Sequence, residues 1–339
     1  MCKKIHRGGN AEQYHADKKY KEAVAAAVEA CADDTKGQTC FICTQALHWK
    51  TKEGLVRGCA CRGTAGFAHV SCLAEQAKLL VAEAEENNWD DDRFMLRWER
   101  WYNCSLCEQH YHGVVRCALG WACWKTYLGR PETDLVRQMA ISVLGNGLFE
   151  TNRYEDASSV MEADLSTMRR LGESSEDVIL VVQSSLAITY SDLGRLEEAL
   201  RMKREVYSGR LKLFGEESPY TLQAAINYAI SLVNLRRDEE AKALLRKTIP
   251  VARRVLGESD QLTLRMRWIY AKALCRDDSA IGDLREAVTM LEDTVRIARR
   301  VLGGAHPLTV EIEGNLRNAR AALRARETGG AREPVSTAN

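Results

Sequence analysis

The chain has no run of 18 or more apolar residues, so nothing in it is long enough to span a bilayer as a helix. Its amino terminus, Met1 to Asn10, carries charges without the apolar stretch of a secretory leader. It also lacks net charge. The 48 Lys and Arg nearly cancel the 47 Asp and Glu, leaving +1, which weighs against nucleic-acid binding by bulk electrostatics. No glycine-rich phosphate loop, Ser-His-Asp order or paired-carboxylate constellation stands out. These absences point to a protein expected in the cytoplasm or nucleus, with no nucleic-acid partner and no membrane span.

What is present is cysteine, unevenly placed. Eleven of the 12 precede Trp124. In a compartment where thiols stay reduced, such a cluster suggests metal rather than disulfides. Eight soft ligands fall into four pairs: Cys40 and Cys43, Cys59 and Cys61, His69 and Cys72, Cys104 and Cys107. The intervals between pairs are 15, seven and 31 residues. Sets of four Cys or His donors fit tetrahedral zinc, and a two-residue gap lets both side chains of a turn converge on one ion. The expected cofactor is zinc, two ions. His110, His112, Cys117 and Cys123 offer a weaker third set, against which stands packing of a Cys- and Trp-rich segment. Cys2, Cys31 and Cys275 read as ordinary thiols.

Beyond about Gly129 to Glu132 the composition turns to Leu, Ala, Arg and Glu with helical spacing. Glycines close helices at Gly172, Gly215, Gly257 and Gly303, at intervals of 43, 42 and 46 residues. Ala157, Ala199, Ala241 and Ala287 repeat at 42, 42 and 46. The agreement places a four-residue insertion in the last interval, at Arg276 to Asp283. The spacing predicts four antiparallel helix pairs and a closing helix from about Leu308 to Arg326, stacked as an α-solenoid. The expected organisation is therefore mainly α: a helical segment over 1–36, with its helix at Ala11 to Ala32; a zinc module over 37–127; repeats over 133–326; and a disordered tail over 327–339.

The repeats resemble tetratricopeptide repeats of the kinesin-light-chain type, on Ser184-Ser185-Leu186-Ala187, Leu193-Gly194-Arg195-Leu196-Glu197-Glu198-Ala199-Leu200 and Gly303-Gly304-Ala305-His306-Pro307-Leu308-Thr309. That resemblance implies a groove lined by the first helices, where an asparagine holds an extended peptide. The matching positions are Ser185, Asn227, Ile269 and Asn315, so Asn227 and Asn315 are the candidate peptide contacts. Arg236, Arg237, Lys242, Arg265 and Arg267 would make the groove positive, or simply be a solvated helix surface.

The upstream pattern resembles the RING-CH zinc finger of a class of ubiquitin ligases, on Cys40-Phe41-Ile42-Cys43, Gly58-Cys59-Ala60-Cys61-Arg62-Gly63-Thr64-Ala65-Gly66 and Phe67-Ala68-His69-Val70-Ser71-Cys72-Leu73. The one-residue and seven-residue gaps distinguish it from a PHD finger. The resemblance implies cross-bracing, with Cys40, Cys43, His69 and Cys72 on one ion and Cys59, Cys61, Cys104 and Cys107 on the other. It also implies that Ile42 contacts a ubiquitin-conjugating enzyme, while no residue of this chain is itself catalytic. Two positions depart from the family: Gln76 stands where a tryptophan is common, and Glu108 where a basic or hydrogen-bonding residue is common. Trp98 or Trp101 could replace the missing tryptophan or anchor the 31-residue insertion. Activity thus stays open between a RING-type ubiquitin ligase and a non-catalytic scaffold.

Overall fold

A computed structural model describes residues 11–172, 174–276 and 279–329. Among these the chain is almost entirely helical, with only isolated bridges at Val56–Ala68 and Asn103–His110. No helix among the described residues is long and apolar enough to cross a membrane. The expectations for Met1 to Asn10, Cys2 and 330–339 lie outside the described residues. The chain forms two compact units, Met1–Ser175 and Glu176–Asn339.

In the first unit, α1 (Ala11–Ala30) is followed by the ligand-bearing loops, then by α2 (Val70–Glu86), α3 (Asp91–Trp98), a 3-10 turn (Glu99–Trp101) and α4 (Gly113–Tyr127). The first helix pair of the repeats, α5 (Leu135–Glu150) and α6 (Tyr154–Leu171), completes it. At the centre lies α4, buried on all sides through Val115, Cys117, Leu119, Trp121, Cys123 and Tyr127. A helix apolar all round must be enclosed by protein. Here α1, α2 and α5 enclose it. The approach of α4 to α5 depends on two glycines. A Cβ on Gly147 would sit 2.9 Å from the Arg116 carbonyl oxygen, and one on Gly120 would sit 3.1 Å from the Leu144 Cα. Both neighbours are backbone and cannot yield as a flexible side chain would. Arg130, just past α4, makes a two-pronged contact with Glu85 of α2 at 2.6 and 2.8 Å. Trp98 and Trp101 are buried against Tyr127, each with ring centroids 5.7 Å from it.

The second unit continues the pairing: α7 (Glu176–Asp192) with α8 (Leu196–Phe214), α9 (Pro219–Asn234) with α10 (Asp238–Val255), α11 (Gln261–Leu274) with α12 (Ile281–Val301), and the closing α13 (Pro307–Gly329). Gly172, Gly215, Gly257 and Gly303 all have positive φ, as helix-closing glycines require. The helix α13 runs to Gly329, three residues into the segment expected to be a tail. Between α11 and α12 lies the inserted stretch, of which Asp277 and Asp278 are outside the described residues. Ion pairs tie the helices together: Arg267 of α11 to Asp293 of α12 at 2.6 Å, Arg276, just past α11, to Asp238 of α10 at 2.6 Å, and Lys242 of α10 to Asp283 of α12 at 3.0 Å. Lys203 reaches Ser191 and Ser231 at 2.8 and 2.9 Å.

Candidate metal centre

The four ligand pairs converge into two clusters. Cys40, Cys43, His69 and Cys72 form one, and Cys59, Cys61, Cys104 and Cys107 the other, with donor atoms of each set within 4.8 Å of one another. Alternate pairs thus share a cluster, the arrangement implied by the resemblance. The donors themselves test the fit to a metal. With Zn–S near 2.3 Å and Zn–N near 2.0 Å, a tetrahedron has S···S edges of about 3.8 Å and S···N edges of about 3.5 Å. Cys61 Sγ and Cys104 Sγ are 3.8 Å apart, while His69 Nδ1 lies 3.4 Å from Cys43 Sγ and 3.6 Å from Cys72 Sγ. These separations match the edges of a zinc tetrahedron.

Both C-x2-C pairs are built by the same turn. Cys40 N–H donates to Gln45 O at 3.0 Å and Thr44 N–H to Cys40 O at 2.8 Å; Cys104 N–H donates to Gln109 O at 2.9 Å and Glu108 N–H to Cys104 O at 3.0 Å. Thr44 and Glu108 take matching left-handed conformations, φ 62° and 56°. The turn also aims amide hydrogens at sulfur. Ile42 N and Cys43 N point to Cys40 Sγ at 3.4 and 3.5 Å, and Leu106 N to Cys104 Sγ at 3.4 Å. Such donors favour thiolate over thiol.

The third pair sits at the start of α2, where His69 is the N-cap and Cys72 lies in the first turn. His69 Nε2–H donates to the Ala46 carbonyl at 3.3 Å, which leaves Nδ1 unprotonated toward the sulfurs. Burial holds the imidazole below its usual pKa and so in the neutral, ligating form. Glu53 fixes the helix start by accepting from Ser71 N and Oγ at 2.7 and 2.8 Å, and Tyr20 of α1 pairs with the same hydroxyl at 3.1 Å. In the second cluster Gly66 is required twice over. Its φ is +83°, and a Cβ there would lie 2.6 Å from Cys61 Cβ and 3.1 Å from each of the Cys59 and Cys61 sulfurs.

The electrostatics favour a cation. Burial pushes the Cys59 and Cys72 thiols far above the ordinary value, with like-charge repulsion from Cys104 and Cys40 adding to it; burial likewise pushes Cys61 up to about 11. Crowded thiolates cannot all be stable beside one another unless a metal ion offsets their charge.

Known proteins share both modules. A RING-variant domain family matches residues 40–88, and tetratricopeptide-repeat families match 178–254 and 278–308. The chain carries a RING-variant domain fused to tetratricopeptide repeats. The RING-variant match ends before Cys104 and Cys107; α2, α3 and the buried tryptophans occupy the long interval ahead of the last pair. Among solved structures, nearly identical TPR-like repeats assigned to a putative kinesin light chain of Podosopora anserina are similar at 19% identity, with TM-score 0.47, over 68% of this chain and 97% of that one; a form of the same repeats carrying one substitution gives the same values. BtubC (BKLC) from P. vanneervenii is similar at 16% identity, with TM-score 0.36, over 80% of this chain and 96% of that one. No curated protein matches the chain.

The remaining sequence candidates fall as follows. Ile42 is 37% exposed on the first knuckle of the RING-variant domain, and Leu106, which sequence reasoning passed over, is 51% exposed on the second. Both knuckles thus present an apolar side chain to solvent. Glu108 is exposed and Gln76 half-buried. Trp98 and Trp101 are core residues anchoring the insertion. Cys117 and Cys123 are buried in α4, whereas His110 and His112 are exposed, and the four form no cluster among the described residues. Asn227 is half-buried and accepts from Gln223 Nε2 at 3.3 Å; Asn315 Nδ2 donates to Glu311 O at 3.0 Å. Three cations of the suggested set have carboxylate partners within the repeats. Arg267 pairs with Asp293 and Glu258, Lys242 with Asp283 and Glu239, and Arg237 with Glu240.

Proposed function

We propose that the two clusters bind two zinc ions and that the protein is a RING-type ubiquitin ligase, recruiting a ubiquitin-conjugating enzyme through the zinc module and protein substrates through the repeats. Zinc, when bound, supplies structural bracing and no reaction step. The residues themselves recruit and orient. Such a ligase needs no nucleophile of its own, which agrees with the lack of any nucleophile-base pairing in the sequence. The observation that carries this reading is Ile42: an apolar side chain exposed to solvent between two ligands on a hydrogen-bonded turn. An apolar residue placed in that way is suited to a partner surface. On the repeats, Asn227 keeps its Nδ2 donors and Asn315 its Oδ1 for the backbone of an extended peptide, and Arg236 and Arg265 are the cations of the suggested set without a carboxylate partner among the described residues.

Glu108 and Gln76 favour a second reading, a non-catalytic scaffold with the same two binding surfaces. An acidic side chain at the left-handed position of the last knuckle cannot donate a hydrogen bond across an enzyme–ubiquitin pair. Autoubiquitination across a panel of conjugating enzymes separates the two. Activity abolished by Ile42→Ala with the zinc content unchanged supports the ligase. Inactivity across the panel, from protein that holds two zinc ions, supports the scaffold.

A further inference from the structure

The first helix pair departs from its own repeat pattern at two buried positions. The 42-residue spacing that relates Leu180, Leu222 and Leu264 puts Gln138 at the same point of α5. On the second helices, Asp164 shares its position with Val206, Thr248 and, across the longer interval, Thr294. All eight residues are buried. Thr248 and Thr294 return their hydroxyls to carbonyls four residues back, an arrangement that adds no charge to the core. Asp164 does add one. It is 3% exposed, and its single hydrogen bond among the described residues is from Ser142 Oγ to Oδ2, at 3.2 Å.

Gln138 and Asp164 line one cavity of about 230 Å³ in the first unit, with Trp124, Ile141, Ala163 and Thr167 as further walls and Glu12, Glu132 and Arg137 around it. The charged and amide groups there besides Asp164 are engaged. Gln138 donates to the Glu132 carbonyl and accepts from Ser174, each at 3.2 Å. Glu132 pairs with Arg170. Arg137 faces Glu12 at 4.0 Å, donates to Arg130 O at 2.6 Å and lies over the Trp124 ring. Asp164 alone in this set has no opposite charge beside it among the described residues. An unpaired buried carboxylate is costly, and costs of this kind persist where a site needs them.

We propose that this cavity binds an alkylammonium group, with the Asp164 carboxylate as its counter-ion. Ser142 takes one lone pair of Oδ2, which leaves Oδ1 and the second lone pair of Oδ2 for the ligand. A compact ammonium can take these acceptors with two of its three donors, whereas a planar guanidinium needs both oxygens free in parallel. The volume is that of roughly seven waters, enough for an amine with four or five carbons whose stem packs on Trp124, Ile141 and Ala163. Two sources share this chemistry, a free alkylamine and a lysine side chain of another protein.

Calorimetric titration of the zinc-loaded full chain near neutral pH tests the site, using n-butylammonium, the neutral analogue n-butanol and an acetyl-Gly-Lys-Gly-amide peptide. Butylammonium is expected to bind about tenfold or more tightly than butanol, and Asp164→Asn to remove that preference. Asp164→Val, which restores the residue found at position 206, should do the same and guards against misfolding, with intact folding checked by thermal melting. Binding of the peptide as well identifies a protein lysine as the source, and binding of the amine alone a free amine. No binding of either cation, equal binding of butanol, or undiminished binding by folded Asp164→Asn would overturn the proposal.

Discussion

Asp164→Asn should stabilise the protein, and by more at high pH than at low. Burial raises the Asp164 carboxyl from 3.8 to about 7, the Ser142 hydrogen bond opposing it weakly. For an acid whose folded pKa lies above its unfolded one, the folded state holds the proton longer, so stability falls as pH rises from the unfolded value to the folded one. A shift of three units corresponds to at most about 4 kcal/mol, fully felt only above pH 7. Between pH 6 and pH 8.5 the wild type should lose about 1.4 kcal/mol relative to Asp164→Asn, since most of the shift has already been expressed by pH 6. The groups facing the carboxylate, Glu12, Glu132 and Arg137, are the same in both proteins and cancel in the difference. Urea unfolding of the first unit, followed by hydrogen exchange in α5 and α6 with zinc present throughout, measures the difference at both pH values. A gap between the two proteins that stays constant, or closes as pH rises, would refute the assignment of an unpaired buried carboxylate.

Other perturbations follow from the packing. Gly66→Ala should weaken metal retention in the second cluster at least tenfold in a chelator competition, because the new methyl meets Cys61 and the backbone is left-handed. Gly147→Ala should lower the stability of the first unit by about 1–3 kcal/mol in thermal melts, since its Cβ would press on the α4 backbone. Arg267→Ala should cost the second unit about 1–2 kcal/mol, as it removes a buried guanidinium that braces α11 against the half-exposed Asp293 of α12; hydrogen exchange in α11 and α12 reads it out.

Much of this was legible because spacing is a geometric record. The ligand pairs announced themselves by their gaps, and the repeats by the recurrence of Ala157, Ala199, Ala241 and Ala287, each fully buried. The helix α4 was not legible. With Cys117, Leu119, Trp121 and Cys123 buried together it has no polar face, so it offers no period to detect, and its two cysteines, following His110 and His112, imitate a metal motif. The charged residues left two readings open for a related reason. Sequence alone does not distinguish Arg267, which is buried in an ion pair, from Arg265, which is not. Asp164 and Gln138 were within reach of the sequence. Aligning the first pair on the leucines at 180, 222 and 264 exposes both.

The central claim is that eight side chains hold two zinc ions in alternate pairs. Native mass spectrometry of the full chain, with zinc content read by elemental analysis, tests it directly. Two zinc ions per chain are expected, falling to one in Cys43→Ser and in Cys107→Ser and to none in the double variant. A single ion in the wild type, or two ions surviving either substitution, would contradict the account.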